Sequence, residues 1–439
     1  MADISKLKIF EELNPWWATG DVPSALVGIK RKEYLEQLKA HVEEEELELI
    51  SGIRRSGKTT LIYQLIEHLI KEKKIPTRNI LLVNCDEIAV KNSFQDIMDV
   101  VSTFNGSAEG RKYVFLDEVQ YFENWEQQLK NVFDRFRKNV KLIVSVSGSS
   151  ATLWKSKDLY YLAGRFTPIQ VYPFSFNEFL QIKNVILPEA KTLDEKYKKY
   201  AQLDLDKYLQ QYLVYGGFPR ILLEENPEEK LKIAKLYFET ILYKDILKLW
   251  EIKDVTALEK IGRFALQNIG QRFSYRKISD ALQINLRTTQ NYIDYLSNSF
   301  LIYLVEYYAK SSSMQIKKEK KIFTIDNILH TSYFGYENIG ALAENSVFVH
   351  LLKKGNRVNY WKNKTEVDFV VEEKGSPLPI EVKYQQTINS ADIKGLHSFF
   401  KHFEDSTEGL LITKNDFSTQ KTKDGRVIKL VPLWLYLLE

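Results

Sequence analysis

Gly52-Ile53-Arg54-Arg55-Ser56-Gly57-Lys58-Thr59 has the spacing Gly-x4-Gly-Lys-Thr, and its flanks decide how the rest of the chain is read. An apolar run, Leu47–Ser51, leads into it. A helical pattern from about Lys58 to Lys71 follows, with Leu61, Leu65, Ile66 and Leu69 on one face. Strand, glycine loop and helix in that order predict a phosphate-binding loop. Glycines let backbone N–H groups wrap phosphate oxygens, and the helix start adds its positive dipole end. The expected nucleotide-binding set is Gly52, Arg54, Arg55, Ser56, Gly57, Lys58, Thr59 and Thr60. Lys58 is expected on the β- and γ-phosphates of ATP, and Thr59 on Mg²⁺.

A second motif strengthens the first. Tyr113-Val114-Phe115-Leu116-Asp117-Glu118 is an apolar strand that ends in two acids, about 60 residues after the loop. Asp117 is expected to help hold Mg²⁺ and Glu118 to polarise the attacking water, which points to hydrolysis rather than storage. A third run, Leu142–Ser147, ends in Ser147-Gly148-Ser149-Ser150. That segment reads either as a γ-phosphate sensor or as a serine-rich turn. Arg165, in Leu162-Ala163-Gly164-Arg165, reads either as a surface arginine or as a finger acting in cis or from a neighbouring subunit.

The 439 residues suggest two or three domains. Cys85 is the only cysteine, which excludes an internal disulfide and a cysteine-based zinc site. No run approaches the roughly 18 apolar residues of a membrane span. Residues 299–309 are short and interrupted by Glu306, and the first residues lack the apolar core of a signal peptide. The expectation is a cytoplasmic protein without membrane contact. A net charge of +4 is too mild to imply nucleic acid by itself.

Short apolar runs alternating with helical patterns read as an α/β domain with a mostly parallel sheet over 1–174, including an N-terminal lead-in. Residues 175–265 turn helical, punctuated by Gly216-Gly217-Phe218-Pro219. Residues 266–334 read as a winged-helix module, and 335–439 as a separate α/β domain.

These motifs, with Asn14-Pro15-Trp16-Trp17 and Glu366-Val367-Asp368-Phe369, resemble the archaeal and bacterial ATPases that join an AAA-type domain to a C-terminal domain of unknown function with a restriction-endonuclease-like core. The resemblance spans nearly the whole chain. It implies ATP and Mg²⁺ as cofactors and fixes ATPase class better than cellular role. AAA-type sites are often completed by a neighbour, so a homo-oligomer is expected. Trp16, Trp17 and the segment near Arg31 are candidates for adenine contact.

Within 266–334, Tyr275–Leu282, a turn at Gln283–Asn285 and Leu286–Asn298 form a helix-turn-helix pattern. Ile278, Leu282, Ile293 and Leu296 are its expected core. Arg287, Thr288, Gln290 and Asn291 are expected to be exposed, with Arg287, Gln290 and Asn291 as DNA contacts. Phe300–Tyr308 and Lys321–Ile325 would pair as wing strands, and the connection carries Lys317, Lys318, Lys320 and Lys321 for phosphate contact. Such modules also serve as protein contacts, and lysine-rich loops are often merely solvated. Any DNA preference would be for structure rather than sequence.

In the last segment Glu344 falls in a helix over Ile339–Lys353, Asp368 in a strand, and Glu381-Val382-Lys383 in the next strand. Strand periodicity places Glu381 and Lys383 on one face, so Asp368 and Glu381 become a candidate Mg²⁺ pair, with Glu344 as a helix acid and Lys383 beside the water. This resembles the Asp…Glu-x-Lys signature of restriction-endonuclease-like nucleases, although Val367 stands where a proline is usual. An inactive nuclease-like fold, or a structural Glu–Lys pair, fits the same residues. The leading expectation is an ATPase that acts on or is regulated by DNA. The alternatives are a nucleotide-switched regulator of a protein partner and an ATP-gated metal-dependent DNA nuclease.

Overall fold

The structure, a computed structural model, describes residues 4–105, 109–148, 162–311, 314–315 and 318–439. The chain divides into two compact units, Met1–Val171 and Tyr172–Glu439.

In the first unit, β1 (Leu47–Gly52), β2 (Ile80–Asn84), β3 (Lys112–Asp117), β4 (Val140–Ser147) and β5 (Phe166–Gln170) form a parallel sheet in the order β2-β3-β4-β1-β5. A parallel sheet is covered on both faces, which is why its inner strands read as unbroken apolar runs. Side chains alternate between the two cores. Leu49, Val83, Leu116 and Val144 face one cluster; Ile50, Leu82, Phe115 and Ile143 face the other. The helix Lys58–Lys71 buries Leu61, Ile62, Leu65, Ile66 and Leu69 in the second cluster, so its start is anchored at the C-terminal edge of β1.

The N-terminal lead-in covers the exposed edge of β2. The Asn14 amide donates to Leu82 O (3.0 Å) and accepts from Leu82 N–H (2.6 Å), which does the work of a neighbouring strand residue. The indoles of Trp16 and Trp17 both donate to Ile80 O, at 3.2 and 2.8 Å. Ile80 begins β2, so these indole N–H groups sit at the N-terminal end of an edge strand. Their polar atoms are spent on closing that edge.

In the second unit, helices over residues 176–298, interrupted by one short strand, lead into a mixed sheet. Its strands are β6 (Arg272–Phe273), β7 (Ile302–Tyr307), β8 (Lys320–Thr324), β9 (Asn359–Lys362), β10 (Glu366–Glu373), β11 (Ser376–Lys383), β12 (Glu408–Thr413), β13 (Ser418–Lys421) and β14 (Val427–Pro432). Among the described residues these nine form one sheet, β13-β14-β12-β11-β10-β9-β7-β8-β6. β7 and β8 pair antiparallel. β7 also pairs with β9 through Glu306↔Asn359 and Tyr307↔Tyr360, so hydrogen bonding crosses residue 334.

The Gly216-Gly217 pair has a packing reason. Gly216 has φ +67°, and a Cβ there would lie 1.5 Å from Asp326 Oδ1. Asp326, fully enclosed, accepts from Gly217 N–H at 2.7 Å and Ile328 N–H at 3.1 Å. Burial nevertheless pushes its carboxyl up to about 6.

Candidate active site

The C-terminal ends of β1, β4 and β3 lie side by side, with β4 in the middle. This order brings the glycine loop, Ser145 and Ser147, and the two acids to one edge. Gly57 caps the loop helix at φ +98°, a left-handed conformation that a side chain would strain. Lys58 is buried, and its ammonium donates to Gly52 O (3.2 Å), Ile53 O (3.3 Å) and Ser147 Oγ (2.9 Å). It stands 3.9 Å from Glu118 Oε1. Thr59 Oγ1 donates to Asp117 Oδ2 at 2.6 Å.

The two acids are held differently. Asp117 ends β3, buried, and takes a hydrogen bond from Ser145 Oγ on the neighbouring strand. Burial, then the charge of Glu118, raises its pKa. Glu118 has left-handed backbone (φ 55°) and accepts from Ser147 Oγ at 2.6 Å and from the Gln120 amide. Burial alone would raise its carboxyl; Lys58 and Arg54, with these hydrogen bonds, outweigh that and lower it. Neighbouring carboxylates whose environments push them apart are suited to separate tasks.

Arg54 reaches Tyr121 OH at 3.1 Å, and Arg55, exposed, has φ 70°. Ser56 Oγ is buried and hydrogen-bonds no described group. Thr60 is half-buried, its methyl 3.2 Å from where a Gly28 Cβ would be. The segment near Arg31 does reach the loop. The Arg31 guanidinium donates to Ser56 O at 3.0 Å, and Gln64 accepts from Arg31 N–H at 3.1 Å. Ser145 was not foreseen; the Val-Ser-Val-Ser alternation at the end of β4 was the signal available. Ser149 and Ser150 lie outside the described residues.

Arg165 is elsewhere. Its carbonyl accepts from Leu47 N–H (3.0 Å), so it borders the start of β1, not its end. Six residues of strand, about 16 Å, separate it from the loop. Its guanidinium pairs with Asp134 at 3.1 Å. This corrects the cis reading: within one chain the parallel sheet keeps Arg165 at the opposite edge.

In the second unit, Ser274 and Asn285 cap the helices Tyr275–Leu282 and Leu286–Asn298, accepting from Lys277 N–H and Arg287 N–H, and Gln283 makes the left-handed turn. Ile278, Ile293 and Leu296 are buried with Thr289 and Tyr292, but Leu282 is only half-buried. Arg287 is exposed. Thr288, Gln290 and Asn291 are half-buried, which corrects their expected exposure; Thr288 and Gln290 border the apolar stripe. Lys318 is exposed near the Tyr307 ring, and Lys320 pairs with Glu306 at 3.2 Å. Lys317 lies outside the described residues. Lys321 is not a surface lysine at all. It is buried, and its ammonium meets Glu366 (2.8 Å), Glu344 (2.9 Å) and Asp368 (3.2 Å).

Asp368, Glu381, Glu344 and Lys383 do converge. Asp368 Oδ2 accepts from Val382 N–H at 2.9 Å and lies 4.0 Å from Lys383 Nζ, which also pairs with Glu381. Burial, then Asp368, pushes Glu381 up to about 8; burial foremost pushes Glu344 up to about 7. Among the described residues no group of three or more His, Cys, Asp or Glu is arranged to hold a metal ion. No described helix is long and apolar enough to cross a membrane.

The sheet, the loop and the acid-ended strand define the first unit as a P-loop ATPase-like α/β fold. Residues 44–180 match the family model of an AAA domain; residues 206–338 and 339–436 match two domains of unknown function (DUF8612 and DUF4143). An uncharacterized protein of Haemophilus influenzae is 29% identical over 418 residues, covering 93% of this chain and 98% of its own. Another, of Methanocaldococcus jannaschii, is 27% identical over 409 residues, covering 90% and 88%. Among solved structures, a Walker-type ATPase of Pyrococcus abyssi aligns with 69% of this chain and 95% of its own, at 16% identity and TM-score 0.43. The ORC1 protein of Aeropyrum pernix, in complex with DNA, aligns with 76% and 97%, at 12% identity and TM-score 0.33.

Proposed function

We propose that this chain is a Mg²⁺-dependent ATPase that acts on DNA or is regulated by it. One observation carries the ATPase reading: Lys58, Ser147 and Glu118 form one network beside the Thr59–Asp117 pair. The donor set suits Mg²⁺, a hard cation that prefers oxygen. Thr59 and Asp117 would hold it, and when bound it neutralises charge on the phosphates. Lys58 would bind the β- and γ-phosphates, Ser56 Oγ is an unspent donor beside them, and Glu118 would orient and polarise the water. The Arg31 segment, braced on Ser56, lines the approach to the loop and is the better adenine-side candidate.

The DNA reading rests on the capped helix pair with Arg287 exposed at the start of its second helix. Turnover measured on single-stranded, duplex, forked and four-way junction DNA tests it. ATP turnover should need Mg²⁺ and rise with at least one DNA form, and Arg287→Glu should reduce that rise. The competing regulator reading gains from one observation: Lys320 and Lys321 are engaged with acids, which thins the basic loop. Turnover indifferent to every DNA form, without salt-dependent binding, would decide for a protein partner.

Arg165 would act as a finger only in a neighbouring subunit of a homo-oligomer. Arginine fingers contribute roughly 10³–10⁵ in rate. Mixing equal amounts of Arg165→Ala and Lys58→Ala chains should then restore roughly a quarter of wild-type turnover by random assortment. No restoration would leave Arg165 in a structural role, with Asp134 as one of its partners.

A further inference from the structure

The nuclease-like signature implies a divalent ion between Asp368 and Glu381, and the donors present do not fit one. Asp368 Oδ1 accepts from Lys321 and Oδ2 from Val382 N–H. Glu381 Oε1 accepts from Lys383, and Glu344 Oε1 from Lys321. Among the described carboxylate oxygens of this cluster, Glu381 Oε2 is the one buried without a partner. A divalent ion of this class takes about six oxygens, whereas here nearly every inward carboxylate oxygen already faces a donor.

Lys321 is what uses them. An ammonium has three N–H donors, and Lys321 has three carboxylates within 3.2 Å: Glu344, Glu366 and Asp368. Its side chain is 2% exposed. A charge so enclosed is tolerated only when paired and hydrogen-bonded, and Glu344 and Asp368 likewise depend on it, whereas Glu366 also pairs with Arg272 and Lys362. The three acids come from two elements, the helix Ile339–Lys353 and β10, and the lysine from β8.

We propose that Lys321 is the resident cation of this cluster: its ammonium takes the place of a divalent ion, so the cluster binds no Mg²⁺ and does not cleave DNA. Its task is to clasp β8 to the helix and to β10. Replacing Lys321 with methionine leaves Glu344 and Asp368 enclosed and facing one another, with Glu366 still paired to Arg272 and Lys362, and a divalent cation then becomes the available relief.

Mn²⁺ uptake by the nucleotide-free full-length chain, counted by electron paramagnetic resonance, tests this. Wild type, Asp368→Asn and Glu381→Gln should take up the same number of ions. Lys321→Met should take up one more, and Lys321→Met/Asp368→Asn should lose it. Lys321→Met should also melt lower in EDTA and recover with Mn²⁺. If wild type holds one ion that Glu381→Gln lacks, the proposal is overturned, and this arm stands even if Lys321→Met does not fold. A folded Lys321→Met that gains no ion overturns it equally. So does Mg²⁺-dependent DNA cleavage by wild type that disappears in Glu381→Gln.

Discussion

Lys58→Ala should weaken ATP binding and reduce turnover still more. In the folded chain this ammonium touches two loop carbonyls and Ser147, and it is the nearest positive charge to Glu118. Alanine therefore removes the phosphate-binding cation and leaves Glu118 enclosed without its main counter-charge. A lost charge-assisted hydrogen bond costs about 1.5–3 kcal/mol, or roughly ten- to a hundredfold in affinity. Turnover should fall further, on the order of 10³-fold, because charge developing on the transferring phosphoryl group loses its stabiliser. Binding of a fluorescent ATP analogue and release of phosphate measure the two effects. Turnover within about twofold of wild type would remove the loop from the mechanism.

Glu118→Gln should separate the two effects. Glutamine keeps the shape and can still accept from Ser147 Oγ, but it has no carboxylate to polarise water. Positioned general bases contribute roughly 10²–10⁴ in rate, so turnover should fall by about that much while ATP binding persists. The surroundings of Glu118 support the assignment. Lys58 and Arg54 hold its carboxyl low against the pull of burial, so it is ionised at neutral pH, whereas Asp117 next to it is raised. Equilibrium binding with single-turnover hydrolysis reads both quantities in one preparation. Persistent single-turnover hydrolysis would transfer the base role to another group; loss of binding would make Glu118 a support for Lys58 instead.

Much of the first unit was legible because its physics is local. The strands β2, β3 and β4 are buried on both faces and read as apolar runs, and the loop is defined by glycine spacing. The helix pair was legible through its apolar positions, such as Ile278, Ile293 and Leu296, on either side of the turn at Gln283–Asn285. Long-range pairing was not. β6 and β9 have two and four residues, too few to show a period, and β9 meets β7 from more than fifty positions away. Lys321 was misjudged for a related reason. It follows Lys317, Lys318 and Lys320 in sequence, and only the acids brought by β10 and the helix Ile339–Lys353 distinguish it from its neighbours. Trp16 and Trp17 looked like ligand-gripping aromatics because nothing local reveals that their indoles serve an edge strand.

The pairing of β7 with β9 also constrains how such a chain can be inherited. A recombination event at the composition break near residue 335 would deliver the helix pair with a sheet that lacks its other strands, and would leave the acids of the last segment without Lys321. Neither product would be a finished fold. The helix pair and the last segment therefore share one sheet and one buried ion cluster, so a change on either side of residue 335 must stay compatible with the other.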